Sequence, residues 1–233
     1  MIVDRRSVIL GGAGILTASA FQSAVAAATS KRFPSGFLWG AATSGHQTEG
    51  NNVASDTWFL EHVQSTAFAE PSADACNSFE LWPVDLDLVR GLGLNSYRFS
   101  IEWSRIEPEQ GKFSVAMLDH YARIIDGCHE RGLTPLVTFN HFTCPRWFGA
   151  AGGWSNPEAP GAFAHYCEFV ARRVAARIGY AVTLNEPNLM RLLRWLGLPQ
   201  QVFDGQRAML AAAAKALGAS KFSTANTANL EDL

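Results

Sequence analysis

Apolar and polar positions along this chain fall into short blocks whose period alternates. GFLWGAATS (36–44), LNSYRFSI (94–101), LTPLVTFN (133–140) and YAVTLN (180–185) are apolar runs with turn residues at their borders. Such runs predict strands. Between them the period lengthens. FELWPVDLDLVRGLG (79–93) places Leu81, Val84, Leu88 and Leu92 at helical spacing before a glycine stop. SVAMLDHYARIIDGCHERG (114–132) predicts a second helix ending at Gly132. NPEAPGAFAHYCEFVARRVAARIG (156–179) predicts a third, with prolines confined to its start, where a missing N–H is tolerated. Beyond residue 188, LMRLLRWLGL and GQRAMLAAAAKALG have helical character and a polar tail follows. The pattern contains no recognisable fifth strand.

Strict alternation of strand and helix predicts βαβ units around a parallel sheet. Nearly continuous apolar strands agree, since such a sheet is covered on both faces. Two α/β architectures fit: an open doubly wound sheet and a (β/α)8 TIM barrel. No G-x-G-x-x-G or G-x-x-x-x-G-K-[ST] follows a strand, which weakens the nucleotide-binding form of the open sheet.

Composition narrows the partners. A length of 233 residues allows one large domain or two small ones, and 48% hydrophobic residues suffice for a sizeable core. A net charge of -2 without a basic stripe argues against nucleic acid. Cys76, Cys128, Cys144 and Cys167 form no CxxC and no metal-ligand spacing, so they are expected to be small buried hydrophobes. No metal or organic cofactor is suggested. Residues 1–30 read as an export signal: Arg5-Arg6, an apolar stretch, then Ala24-Val25-Ala26 of the type cleaved by signal peptidase. The arginine pair resembles a twin-arginine signal. That predicts a mature chain from about residue 27 in a bacterial periplasm or outside the cell, without a stable membrane anchor. Residues 31–233 would form the globular part.

The polar residues concentrate just past the strands. Gln47 and Glu49 follow the first, Arg98 and Glu102-Trp103 mark the second, Asn140-His141-Phe142 the third, and Asn185-Glu186 the fourth. Active sites of β/α barrels and open α/β sheets alike are built at those ends. Amides and imidazole suit a polyhydroxylated ligand. Trp39, Trp58, Trp103, Phe142 and Trp147 are candidate faces for a sugar ring, each also a candidate core residue.

Four segments carry a resemblance: FPSGFLWGAATSGHQTEG, SYRFSIEWSRIEPEQGKF, LVTFNHF and VTLNEPN, in order across residues 33–188, resemble signatures of glycoside hydrolase family 1. The resemblance implies a TIM barrel and retaining hydrolysis of β-linked glycosides or oligosaccharides by two glutamates. It implies Glu186 as acid/base, Asn185 as the partner of the sugar 2-hydroxyl, Gln47 and His141 as partners of more distant hydroxyls, and Arg98 as the neighbour of the nucleophile. Glu49, Glu102 and Trp103 read as mainly structural. Phe142 stands where many members have tryptophan, and NSFELW (77–82) departs from the usual start of the first helix.

The family's nucleophile lies in a Glu-Asn-Gly motif, and no such motif occurs here. Glu231, in a polar tail with no strand before it, is rejected as a substitute. Four of eight βα units are therefore expected, with open barrel edges prone to self-association. A truncated glycosidase lacking its nucleophile is the main expectation. A non-catalytic sugar-binding remnant is the alternative, and an inverting mechanism with Glu102 as base would be a route to activity.

Overall fold

A computed structural model describes residues 33–187 and the strand Phe222–Ala225. The export signal and the helices expected beyond residue 188 lie outside the described residues. Residues up to Phe37 belong to one unit, in which Phe33 and Phe37 are in ring contact at 4.6 Å. A second unit starts at Leu38 and holds everything that follows.

The strands are β1 (Gly40–Ala42), β2 (Ser96–Ser100), β3 (Thr134–Asn140), β4 (Tyr180–Asn185) and β5 (Phe222–Ala225). All neighbours are parallel, and the sheet order is β1-β2-β3-β4-β5. This order decides between the two architectures. A doubly wound sheet reverses strand order at a switch point, whereas each strand here adds beside its predecessor, as in a barrel. The fold is of the (β/α)8 type, represented by successive strands of part of the ring.

β5 corrects the expectation that the pattern ends after four strands. It adds parallel to β4 through Ala181↔Phe222, Val182↔Ser223 and Asn185↔Ala225, with a register shift between. FSTA mixes apolar and hydroxyl side chains in four residues, too few to set a period, while the pairing itself uses only backbone groups. β1 is also shorter than its apolar run, and two short helices follow it that the pattern did not predict: α1 (Gly45–Thr48) and α2 (Asp56–Glu61). Ser55 caps α2, its hydroxyl accepting from the Trp58 N–H at 3.0 Å.

The long helices α3 (Ser78–Gly91), α5 (Val115–Glu130) and α7 (Ala159–Val174) fall where the spacing placed them, flanked by the short α4 (Trp103–Ile106) and α6 (Arg146–Ala150). α3 packs on α5, and α5 on α7. Val137, Phe139 and Leu184 from the sheet share the core with Ile125, Phe163 and Val170 from the helices. Tyr166 fixes α7 to two strand ends by donating its hydroxyl to the carbonyls of Ile101 at 2.8 Å and Phe139 at 3.2 Å. Cys128, Cys144 and Cys167 are buried free thiols as expected, but Cys76 is exposed.

In α3 the helix was legible but its inner face was not. Leu86 and Val89 are buried, whereas Leu81, Val84, Leu88 and Leu92 are exposed. Helical spacing identifies a stripe but not what covers it.

Candidate active site

Arg98 organises the carboxyl ends of three strands. From β2, its Nε donates to the Thr138 hydroxyl on β3 at 2.8 Å. Its Nη2 donates to the Asn185 Oδ1 at the end of β4. Parallel strands lie about 4.8 Å apart, so one guanidinium can span from its own strand across the next to the one beyond. Burial lowers the pKa of Arg98, and the charge of Glu186 acts in the opposite direction. Arg98 thus joins Asn185 and Glu186 at the carboxyl end of the parallel strands.

Glu186 is half-buried and adopts φ 50°, the left-handed region rarely occupied by a residue with a Cβ. Such a conformation costs of order 1–3 kcal/mol and persists when its surroundings impose it. Phe142 has φ 70°, so the turn after β3 is strained as well. The ring of Phe142 is 45% exposed and meets His141 edge-on at 5.1 Å. His141 joins the same electrostatic neighbourhood: burial, then the positive charge of Arg98, push its pKa down to about 4. Its Nδ1 is buried and has no hydrogen-bond partner among the described residues. At neutral pH the ring is uncharged, with one donor and one acceptor, which suits a sugar hydroxyl.

Gln47 stands apart from this group. It lies exposed on α1, and its Oε1 accepts from the Ser44 hydroxyl at 2.7 Å rather than from the Arg98 cluster.

Beneath α1 lies a second, closed set of polar groups. Glu102, 2% exposed, accepts from Asn52 Nδ2 at 2.8 Å, the Thr143 hydroxyl at 2.7 Å and the Ser100 hydroxyl at 3.1 Å. Ser100 in turn accepts from the Gly45 N–H at 2.7 Å. Gly45 is required there, because a Cβ would lie 2.3 Å from the Glu102 Cγ. This carboxylate thus ties the loop carrying Gln47 to the loop carrying His141. Alongside, Glu49 accepts from Arg105 Nε at 2.8 Å and from the Tyr121 hydroxyl at 3.0 Å. Burial and the charge of Glu102 push the pKa of Glu49 up to about 8, with Arg105 and Tyr121 acting against the rise. Burial also raises the pKa of Glu102.

Both glutamates are structural, in agreement with the sequence. Glu102 as the base of an inverting mechanism is corrected: it is closed off from solvent and occupied by three donors. Trp103 as a sugar platform is corrected too. It is 1% exposed, stacked on Tyr166 at 5.2 Å and surrounded by Trp147, Phe148 and Phe163. Trp39, by contrast, is 47% exposed.

Sequence reasoning missed Thr138, Asn52 and Thr143. Thr138 carries a visible signal, a hydroxyl inside an apolar strand two residues before Asn140. Asn52 and Thr143 sit in loops that only the fold brings to Glu102. Among the described residues no group of three or more His, Cys, Asp or Glu could hold a metal ion.

The sequence profile "Glycosyl hydrolase family 1" matches residues 29–228. "Beta-glucosidase A" of Thermotoga maritima is 38% identical over 164 residues, 67% of this chain and 37% of that protein. Among solved structures, "beta-glycosidase BGL167" is 44% identical with a TM-score of 0.78, covering 80% of this chain and 53% of that one. The "beta-glycosidase from Pyrococcus horikoshii" is 37% identical with a TM-score of 0.74, covering 84% and 48%. The chain therefore spans about a third of the Thermotoga relative and about half of the structural ones.

Proposed function

The chain belongs to glycosyl hydrolase family 1, and on that premise we propose that it is the acid/base-bearing part of a retaining β-glucosidase-like hydrolase in carbohydrate metabolism. Its substrate class is the β-linked glycoside. Glu186 protonates the departing glycosidic oxygen while a carboxylate outside the described residues attacks the anomeric carbon. It then takes a proton from the water that releases the covalent glycosyl intermediate. Asn185 holds the 2-hydroxyl, while His141 and Gln47 hold more distant hydroxyls. Arg98 keeps the attacking carboxylate ionised.

The observation that carries this reading is the Arg98 guanidinium, which bonds Asn185 and senses the charge of Glu186. Retaining chemistry requires a second carboxyl group about 5–5.5 Å away. The candidate in the neighbouring loop, Glu102, is bound by three donors. With Glu102 so occupied, the chain alone is expected to bind glycoside without turning it over, and to self-associate through the sheet edges left open among the described strands. A second reading, a sugar-binding protein that never acquires a nucleophile, is favoured by the same saturation of Glu102, the carboxylate in the neighbouring loop.

The test is release of aryl alcohol from an aryl β-glucoside by the chain alone, by the chain combined with the remainder of a family 1 barrel, and by Glu186→Gln in both settings. The expected result is release only in the combination, reduced by Glu186→Gln by about 10²–10⁴-fold. Release by the chain alone that Glu186→Gln abolishes would overturn the inactive-fragment reading. Glycoside binding without release in any setting would favour the second reading. We also propose that residues 1–30 direct export to the periplasm or beyond. Recovery of a chain starting near residue 27 from the periplasmic fraction is the expected outcome, and an intact Met1 there would refute it.

A further inference from the structure

The connections that leave β1 and β3 at their carboxyl ends carry large apolar side chains in the open. Phe59 and Leu60 on α2 are exposed by 42% and 49%, Phe68 in the loop that follows by 40%, and Phe142 beyond β3 by 45%. The Thr66 hydroxyl holds that loop to the end of α2, donating to the Leu60 carbonyl at 2.7 Å and accepting from the Phe68 N–H at 3.2 Å. This is the side of the sheet on which Arg98 meets Asn185 and Glu186.

The two connections are fastened to each other. Ser55 and Pro145 form an antiparallel bridge, and the Asp56 N–H donates to the Cys144 carbonyl at 2.8 Å. The Cys144 N–H donates back to the Asp56 carboxylate at 2.9 Å, and the Arg146 N–H to the Ala54 carbonyl at 2.8 Å. These bonds set the first residue of α6 against α2, and the guanidinium of Arg146 lies 4.4 Å from the centre of the Phe59 ring. Arg146 is exposed, and no carboxylate among the described residues pairs with it. Other arginines differ. Arg105 also lies over a ring, 4.5 Å from that of Phe79, but is paired with Glu49, and Arg172 and Arg173 on α7 each hold a carboxylate. A guanidinium oriented by a ring and lacking an acid keeps its planar fork of donors available.

We propose that Arg146, Phe59 and Phe142 form a rim that receives the leaving group of the glycoside, and that this rim selects aryl aglycones bearing a carboxylate. The rings supply flat apolar contact for an aromatic leaving group, and the guanidinium supplies a bidentate partner for its carboxylate. A second sugar would call for several hydroxyl partners beside the rings, whereas Leu60 and Phe68 extend the rim with apolar surface. The inference rests on the reading of the neighbouring site as one for β-glycosides and names the leaving group that site would accept.

The experiment titrates the full 233-residue chain calorimetrically with 4-carboxyphenyl β-glucoside and with phenyl β-glucoside. Ligand-observed NMR follows benzoate, which has the chemistry of the proposed leaving group and no sugar. The carboxylated glucoside is expected to bind tighter by about fivefold, the upper range for an exposed charge pair, with the preference shrinking as salt rises. Arg146→Met should abolish the preference. Phe59→Ala should weaken both aryl glucosides by about threefold, and Phe59→Tyr, which keeps the ring, should restore them. Arg172→Met, which removes a paired arginine far along α7, should leave the preference as it is. Far-UV circular dichroism checks that the variants fold. No preference in the unchanged chain, or a preference that survives Arg146→Met, overturns the proposal. So does tighter binding of cellobiose than of the carboxylated glucoside, which would make a second sugar the occupant. Benzoate binding that needs Arg146, with neither glucoside bound, would keep the rim and refute the glycoside reading. Glucoside binding without the carboxylate preference would do the reverse, and no binding of any probe would refute both.

Discussion

Two glutamates stand just past the ends of parallel strands, and their surroundings differ in every respect that matters for chemistry. Glu102, beyond β2, is closed from solvent, accepts three side-chain hydrogen bonds and presses on Gly45. Glu186, beyond β4, is half-buried, held at positive φ and exposed to the field of Arg98. A carboxylate whose lone pairs are occupied by protein donors has nothing left for a substrate, and removing it strands those donors. A carboxylate in a strained, partly open position can meet a ligand and supports little of the fold. The topological position alone assigns neither role. The donors around it do.

The largest effect expected from this contrast is on stability. Glu102→Ala leaves Asn52, Thr143 and Ser100 without their acceptor, at about 1–3 kcal/mol for each donor left unsatisfied. A loss of about 3–6 kcal/mol in urea unfolding is expected, enough to unfold a marginal domain. A loss below about 1 kcal/mol would mean that water replaces the carboxylate and that the clamp is not structural.

The second effect is in pH dependence, through Glu49. Its folded pKa of about 8 lies above the ordinary value of 4.5. The folded state therefore holds a proton that the unfolded state has released. The associated stability is complete below about pH 4.5 and declines as pH rises towards 8, at up to about 1.4 kcal/mol per pH unit. Glu49→Gln should flatten unfolding midpoints across that window. An unchanged slope would place the proton elsewhere in the pair with Glu102.

The smallest effect concerns the strain at Glu186. Glycine accepts φ 50° without penalty, so Glu186→Gly should raise stability by about 1 kcal/mol while removing the acid/base group. Stabilisation on loss of the functional side chain would mirror the Glu102 result. Destabilisation would show that Glu186 also holds the fold together.

Strands and helices were legible wherever a run was long enough to set a period. YAVTLN matches β4 residue for residue, α5 and α7 fall within their expected blocks, and α3 starts one residue before its own. Short elements were not: β5 has four residues, and α1 arises in a loop whose Gly45 is fixed by contact with a glutamate 57 positions away. The site was legible as residue types at strand ends. That Arg98, Asn185, Glu186 and His141 converge while Gln47 turns to Ser44 was not.

By itself the sequence determined the alternation of elements, the parallel sheet and the identity of the polar groups, because side-chain period and turn residues act over a few neighbours. The tertiary structure alone decided which apolar stripe is core and which is exposed, and which carboxylate is saturated by donors and which sits partly open. Burial and hydrogen bonding depend on groups brought together from distant parts of the chain: Thr143 reaches Glu102 across 41 residues and Arg98 reaches Asn185 across 87.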